Sequence, residues 1–194
     1  MGGWFGPDDS PDMSLGFDLV AFVGWALTSD YTYAAWDHGV VTAGWVNPAT
    51  SGVWAVYGHL SSMAVSTGDH VDKGQVMGYT GNTGEASGPN GGYHLHFEID
   101  LAWSAAASMN PLGAEGLDLG NPLQPMPPLS PGGGFGWRTH NGALEFHHGL
   151  DYPAPVGTSV YAALGGVVAY ADWGAPGHYN GYGLVVVVWT PFGS

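Results

Sequence analysis

The chain has 194 residues, with sixteen acidic side chains against only Lys73 and Arg138, for a formal net charge of −14. That length suits one medium domain or a domain and a half. A surface so poor in cations excludes nucleic-acid binding by phosphate neutralisation and repels anionic membranes and wall polyanions, and the lack of cysteine excludes disulfides and thiolate metal sites.

In chain order, the N-terminal "MGGWFGPDDSPDM" lacks a basic region, and the apolar run "LVAFVGWAL" that follows is too short to span a bilayer. No signal peptide is expected. Short β-rich runs then alternate with turn signals such as "NPATSG", "SGPNGG" and "GAPGHYNGYG". The runs are "GVWAVYGHL", "HLHFEI", "SVYAAL", "GVVAYA" and "GLVVVVW". Their spacing predicts an all-β or mostly β fold. "LAWSAAASM" is expected to form one or two helical turns. "GNPLQPMPPLSPGGG", Gly120 to Gly134, reads as a linker, because proline favours extended, semi-rigid chain. It divides a part spanning 1–120 from a smaller part, 135–194. The two parts share a pattern. "GFDLVAFVG" (Gly16 to Gly24) aligns with "GLDYPAPVG" (Gly149 to Gly157), and "TYAAWDHGVV" with "VYAALGGVV", which indicates a partial internal duplication.

The chemistry gathers on histidines. His94 and His96 are two apart in a strand-like run, so both imidazoles face the same way, and they are expected beside Phe97 and Ile99. His147 and Asp151 are four apart with Gly149 between them. Imidazole and carboxylate suit zinc. One histidine of "HLH" raises the ligand count to three, which with an open fourth position describes a catalytic rather than a structural ion. The other would stand beside the metal. His59, ending "VYGHL", is placed to orient a water or donate to a developing oxyanion. His70, His140, His148 and His178 have no defensible partner spacing, and His38 reads as a turn residue. "GNTGEASGPNGG" lacks the lysine of a phosphate loop.

Together these stretches resemble the lysostaphin/LytM-type zinc endopeptidases, which cut peptide bonds in bacterial peptidoglycan. "GGFGWRTHNGALEFHHGLDYPAPVGTSVYAALGGVVAYA" resembles the family's opening block with its His-x-Gly-x-Asp motif. "GYGLVVVVW" resembles the strand that follows. "VWAVYGHLSSMAVSTGDHVDKGQVMGYTGNTGEASG" and "HLHFEI" resemble the second half, ending near "NPL". The resemblance implies a small antiparallel β-sheet peptidase domain, zinc (Zn2+) on His147, Asp151 and His96, and His59 with His94 acting on water or transition state. Arg138 matches a frequent arginine of the family.

The block order departs from the family, since the His-x-Gly-x-Asp block follows the "HLH" block. Either the domain is circularly permuted, with 135–194 completing it in cis, or a neighbouring chain completes it in trans, as an oligomer or filament. Residues 1–120 alone would be a domain whose first block is degenerate, with Ser14 at the ligand-histidine position and Asp18 at the aspartate position. Two functions follow. The favoured one is a zinc-dependent endopeptidase acting on peptidoglycan cross-links or glycine-containing wall peptides, outside the cell or at its envelope. The alternative is an inactive, peptidase-like structural protein that assembles by strand or half-domain exchange into an envelope, phage-tail or extracellular filament.

Overall fold

A computed structural model describes residues 52–88, 91–101, 107–114, 116–175 and 179–192. The apolar run near residue 20, the block Gly16 to Gly24, Ser14, Asp18, His38 and His178 lie outside them. Within them, the five β-rich runs form strands, and no α-helix occurs among the described residues. Eleven strands are present: β1 (Gly52–Met63), β2 (His70–Val71), β3 (Val76–Thr80), β4 (His94–Asp100), β5 (Ser108–Met109), β6 (Gly136–His140), β7 (Ala143–His147), β8 (Leu150–Pro153), β9 (Ser159–Tyr161), β10 (Gly166–Trp173) and β11 (Leu184–Pro191). Of "LAWSAAASM", Ser108 and Met109 are strand and pair with Asp100 and Ile99 of β4, while residues 102–106, where helical turns are expected, lie outside the described residues.

Nine strands form one antiparallel sheet, with β1 near its middle. The first part of β1 pairs β11 on one side and β4 on the other; its last part pairs β3. The other edge of β4 pairs β8, with His96 opposite Asp151. Strands from the end of the chain therefore flank strands from its middle. The continuous run Val185 to Val188 explains how. All four valines are buried, because alternate side chains of β11 enter apolar clusters on both faces of the sheet. Val186 and Val188 join the larger core with Val53, Ala55, Tyr57, Leu95, Phe97 and Ile99. Val185 and Val187 join a smaller cluster with Val56 and Tyr179, against which Tyr182 packs.

The segment Gly120 to Gly134 holds no strand, but it is not free chain. Leu123 is buried in the larger core. The Tyr161 amide donates to the carbonyl of Pro122 (2.9 Å), and the amide of Asp151 to the carbonyl of Gly133 (2.8 Å). Proline-rich chain offers few amide donors, so here it lends carbonyls to its neighbours and straps β8 from behind.

Hairpin β6–β7 is a two-stranded sheet of its own. Asn141 and Gly142 turn it, with φ of 50° and 80°. Two consecutive positive φ values are what a two-residue hairpin of right-handed twist requires, and Asn-Gly supplies them at least cost. The hairpin ends at His147 and delivers the chain to β8.

Candidate metal centre

β4 alternates. Leu95, Phe97 and Ile99 point into the larger core, so the i, i+2 rule sends His94, His96, Glu98 and Asp100 to the other face. The expectation that the imidazoles lie beside Phe97 and Ile99 is corrected on this point. Their same-face neighbours are two carboxylates, both fully buried.

Gly149 sets the approach of β8 to this face. A Cβ there would lie 2.5 Å from the carbonyl oxygen of Phe97 and 2.7 Å from Nε2 of His96, so only glycine lets the chain after His147 pass so close. That passage brings three donor atoms together. His96 Nδ1 lies 3.0 Å from Asp151 Oδ1 and 3.1 Å from His147 Nε2, and His147 Nε2 lies 3.2 Å from Asp151 Oδ1. All three residues are buried, and their donor atoms form a group that could hold a metal ion. Ligand bonds of about 2.0–2.1 Å to a tetrahedral ion place donors about 3.3 Å apart. The triangle fits that spacing.

Hydrogen bonds fix which ring nitrogen faces the cluster. A carbonyl can only accept, so Nδ1–H of His147 donates to Gly134 (2.8 Å), that of His94 to Gly92 (2.7 Å) and that of His59 to Thr83 (2.8 Å). Each of these imidazoles has its Nε2 left over. His96 is reversed: its Nε2 meets Glu98 Oε2 at 3.1 Å, and Nδ1 faces the cluster. Lone pairs of two nitrogens and a carboxylate oxygen thus converge on one point, which is repulsive unless a cation sits among them.

His94 Nε2 lies 3.4 Å from Asp151 Oδ1. The His59 and His94 rings are 4.7 Å apart, centre to centre. His59 is reached by a register shift in β1 between Tyr57 and Leu60 and by a left-handed backbone, φ 59°. Such a conformation costs a non-glycine residue on the order of 1–3 kcal/mol; the amide of His59, donating to Tyr182 (2.7 Å), helps hold it. Arg138 grips the other oxygen of Asp151 (2.9 Å) and also Glu145 (2.7 Å).

Charge states follow from these contacts. Burial, then repulsion from His96 and His94, pushes His59 down to about 3, and burial also lowers His94. Both are neutral near pH 7, with Nε2 able to take a proton. Burial works against the charge on Asp151, but the adjoining His147 and His96 rings outweigh it and hold the carboxyl far below the usual range. Burial likewise opposes a charged His96, while Asp151 and Glu98 lift it to about 9. Without an ion, a proton takes the cation's place.

All five residues expected at the site, His59, His94, His96, His147 and Asp151, meet here, and within one chain. Arg138, given no role beforehand, clamps Asp151. His140 and His148 bond Ser87 and Ser108 instead. Sequence reasoning missed Glu98, Asp100 and Tyr182. For the first two the signal was present, since strand parity alone puts them with the imidazoles. Nothing local marks Tyr182, whose hydroxyl donates to Glu98 Oε2 (2.7 Å).

Two imidazoles and a carboxylate on an antiparallel sheet, with two further imidazoles beside them, form a group that could hold a metal ion, the donor set that metal-assisted hydrolysis uses. Residues 28–111, less than half of the chain, match the model of Peptidase family M23. The matched stretch carries His59, His94 and His96 and ends before His147 and Asp151. Comparisons with curated proteins and with solved structures gave no match.

Proposed function

We propose that the protein is a zinc endopeptidase acting on peptidoglycan cross-links or glycine-containing wall peptides. One observation carries the reading: His96 Nδ1, His147 Nε2 and Asp151 Oδ1 converge within 3.2 Å of one another. Two nitrogens and one carboxylate oxygen suit zinc among the common divalent ions. When bound, zinc acts as a Lewis acid toward a carbonyl and acidifies water. The chain's own residues do the rest. Arg138 holds the Asp151 carboxylate in one orientation. His59 and His94, neutral and fixed through Nδ1, offer Nε2 to take a proton from water and return it to the leaving amine.

The domain reading goes with this function. Residues 1–120 are a peptidase-like part with a degenerate first block, 121–134 connect, and 135–194 supply the working first block in cis. A location at the envelope or outside the cell goes with this function; no helix among the described residues is long and apolar enough to cross a membrane. The net charge of −14 disfavours attraction to wall polyanions and favours the peptide moiety as the bound part.

Purified peptidoglycan treated with the zinc-loaded protein should release new amino termini. His59→Ala and His94→Ala should each keep zinc yet lose about 100-fold or more in rate, the size of a general acid–base contribution. Equal cleavage by chelator-treated protein would exclude the mechanism.

A further inference from the structure

Four imidazoles surround the cluster, and three are held by main-chain carbonyls. The fourth, His96, is held by a side chain. Glu98 lies two residues on along β4, opposite Val56 of β1, with no solvent exposure. Its Oε2 accepts from His96 Nε2–H at 3.1 Å and from the Tyr182 hydroxyl at 2.7 Å. The Tyr182 ring stands edge-on to that of His96, 4.9 Å between centres. Glu98 Oε1 and Asp100 Oδ1 have no donor of their own, and the other oxygen of Asp100 accepts from Tyr179 at 2.8 Å.

A fully buried carboxylate is an expensive way to fill space that an apolar side chain would fill better. This one engages Nε2 of His96. While Nε2–H is donated there, the lone pair on Nδ1 is turned toward Asp151 and His147. An imidazole without that anchor can turn over and offer Nε2 instead, or turn away.

We propose that Glu98 is a positioning residue that commits His96 to bind the ion through Nδ1, and that Tyr182 holds Glu98 in place. The proposal rests on His96 being a metal ligand, as in the function proposed above. Its reach is metal retention rather than chemistry on the substrate, so its signature is in the zinc dissociation constant and in the state of the His96 ring.

The test compares the wild-type chain with Glu98→Gln and Glu98→Leu. Zinc affinity is measured by chelator competition, folding by circular dichroism, and the His96 ring nitrogens by 15N NMR of the zinc-loaded protein. The carboxamide of Glu98→Gln still accepts from Nε2–H, so zinc affinity should stay within about threefold of wild type. Glu98→Leu removes the acceptor and should weaken zinc by about 10–100-fold. The wild-type spectrum should show Nε2 protonated and Nδ1 coordinated. Three results overturn the proposal: wild-type coordination through Nε2, undiminished affinity in Glu98→Leu, or a folded Glu98→Gln weakened more than tenfold. If Glu98→Leu does not fold, the wild-type spectrum and Glu98→Gln still decide. A wild-type chain that binds no zinc removes the metal reading and this proposal with it. Zinc bound equally by wild type and Glu98→Leu removes this proposal alone.

Discussion

Asp100 carries a proton that its neighbour needs. Burial, followed by the negative charge of Glu98, pushes it up to about 10. Burial opposes ionisation of Glu98 too, but hydrogen bonding to His96 keeps it ionised and lowers it. A proton kept on Asp100 and shared with Glu98 would serve both orphaned oxygens. The pH consequence has a definite sign. Unfolded, Asp100 loses its proton near pH 4; folded, it keeps it to about 10. The folded state therefore binds more protons between these limits, and this contribution to stability is full below about pH 4 and lost as pH rises toward 10. Asp100→Asn stays neutral and can donate to Glu98. Its unfolding free energy relative to wild type should grow with pH between about 5 and 9, by at most about 1.4 kcal/mol per unit. Denaturant unfolding across that range measures it, and a constant difference would contradict the shared proton.

Among the elements, the segment Gly120 to Gly134 departs most from its sequence signal. Its prolines announce a break in regular structure, and strand is absent there. Composition does not announce that Leu123 is buried in the core or that the Gly133 carbonyl receives the amide of Asp151. A flexible connector would tolerate Leu123→Ala. A packed strap should lose about 2–5 kcal/mol, as for other buried leucines. Chemical denaturation giving under 0.5 kcal/mol would show that the strap does not pack as described. The strands were legible because Val, Tyr and Trp runs between turn signals have few alternatives to a sheet. Hairpin β6–β7 was not singled out, although Asn141-Gly142 marks it, because its strands alternate weakly and both faces are partly exposed. The carboxylates of β4 were missed for a different reason: parity was applied to the histidines but not carried on along the strand to Glu98 and Asp100.

For the whole molecule, the arrangement is one of sequence order against spatial order. The stretch that matches Peptidase family M23, residues 28–111, ends before the His147–Asp151 tract. Pairing of β11 with β1 and of β8 with β4 brings that tract back into the same sheet. The three donor atoms of the cluster thus come from one chain here. The residue types and the His-x-Gly-x-Asp spacing were readable from the sequence. Their meeting was not, because antiparallel pairing across about fifty residues leaves no local trace; both cis and trans completion satisfied the same pattern.

The central claim is that β4 and β8 of one chain jointly grip one divalent ion. Zinc content per chain after equilibrium dialysis, measured for wild type, His96→Ala and His147→Ala with the protein monomeric by light scattering, tests it most directly. The account predicts about one zinc per chain in the wild type and nearly none in either variant. A monomeric His147→Ala protein that keeps its zinc as tightly as wild type would contradict it.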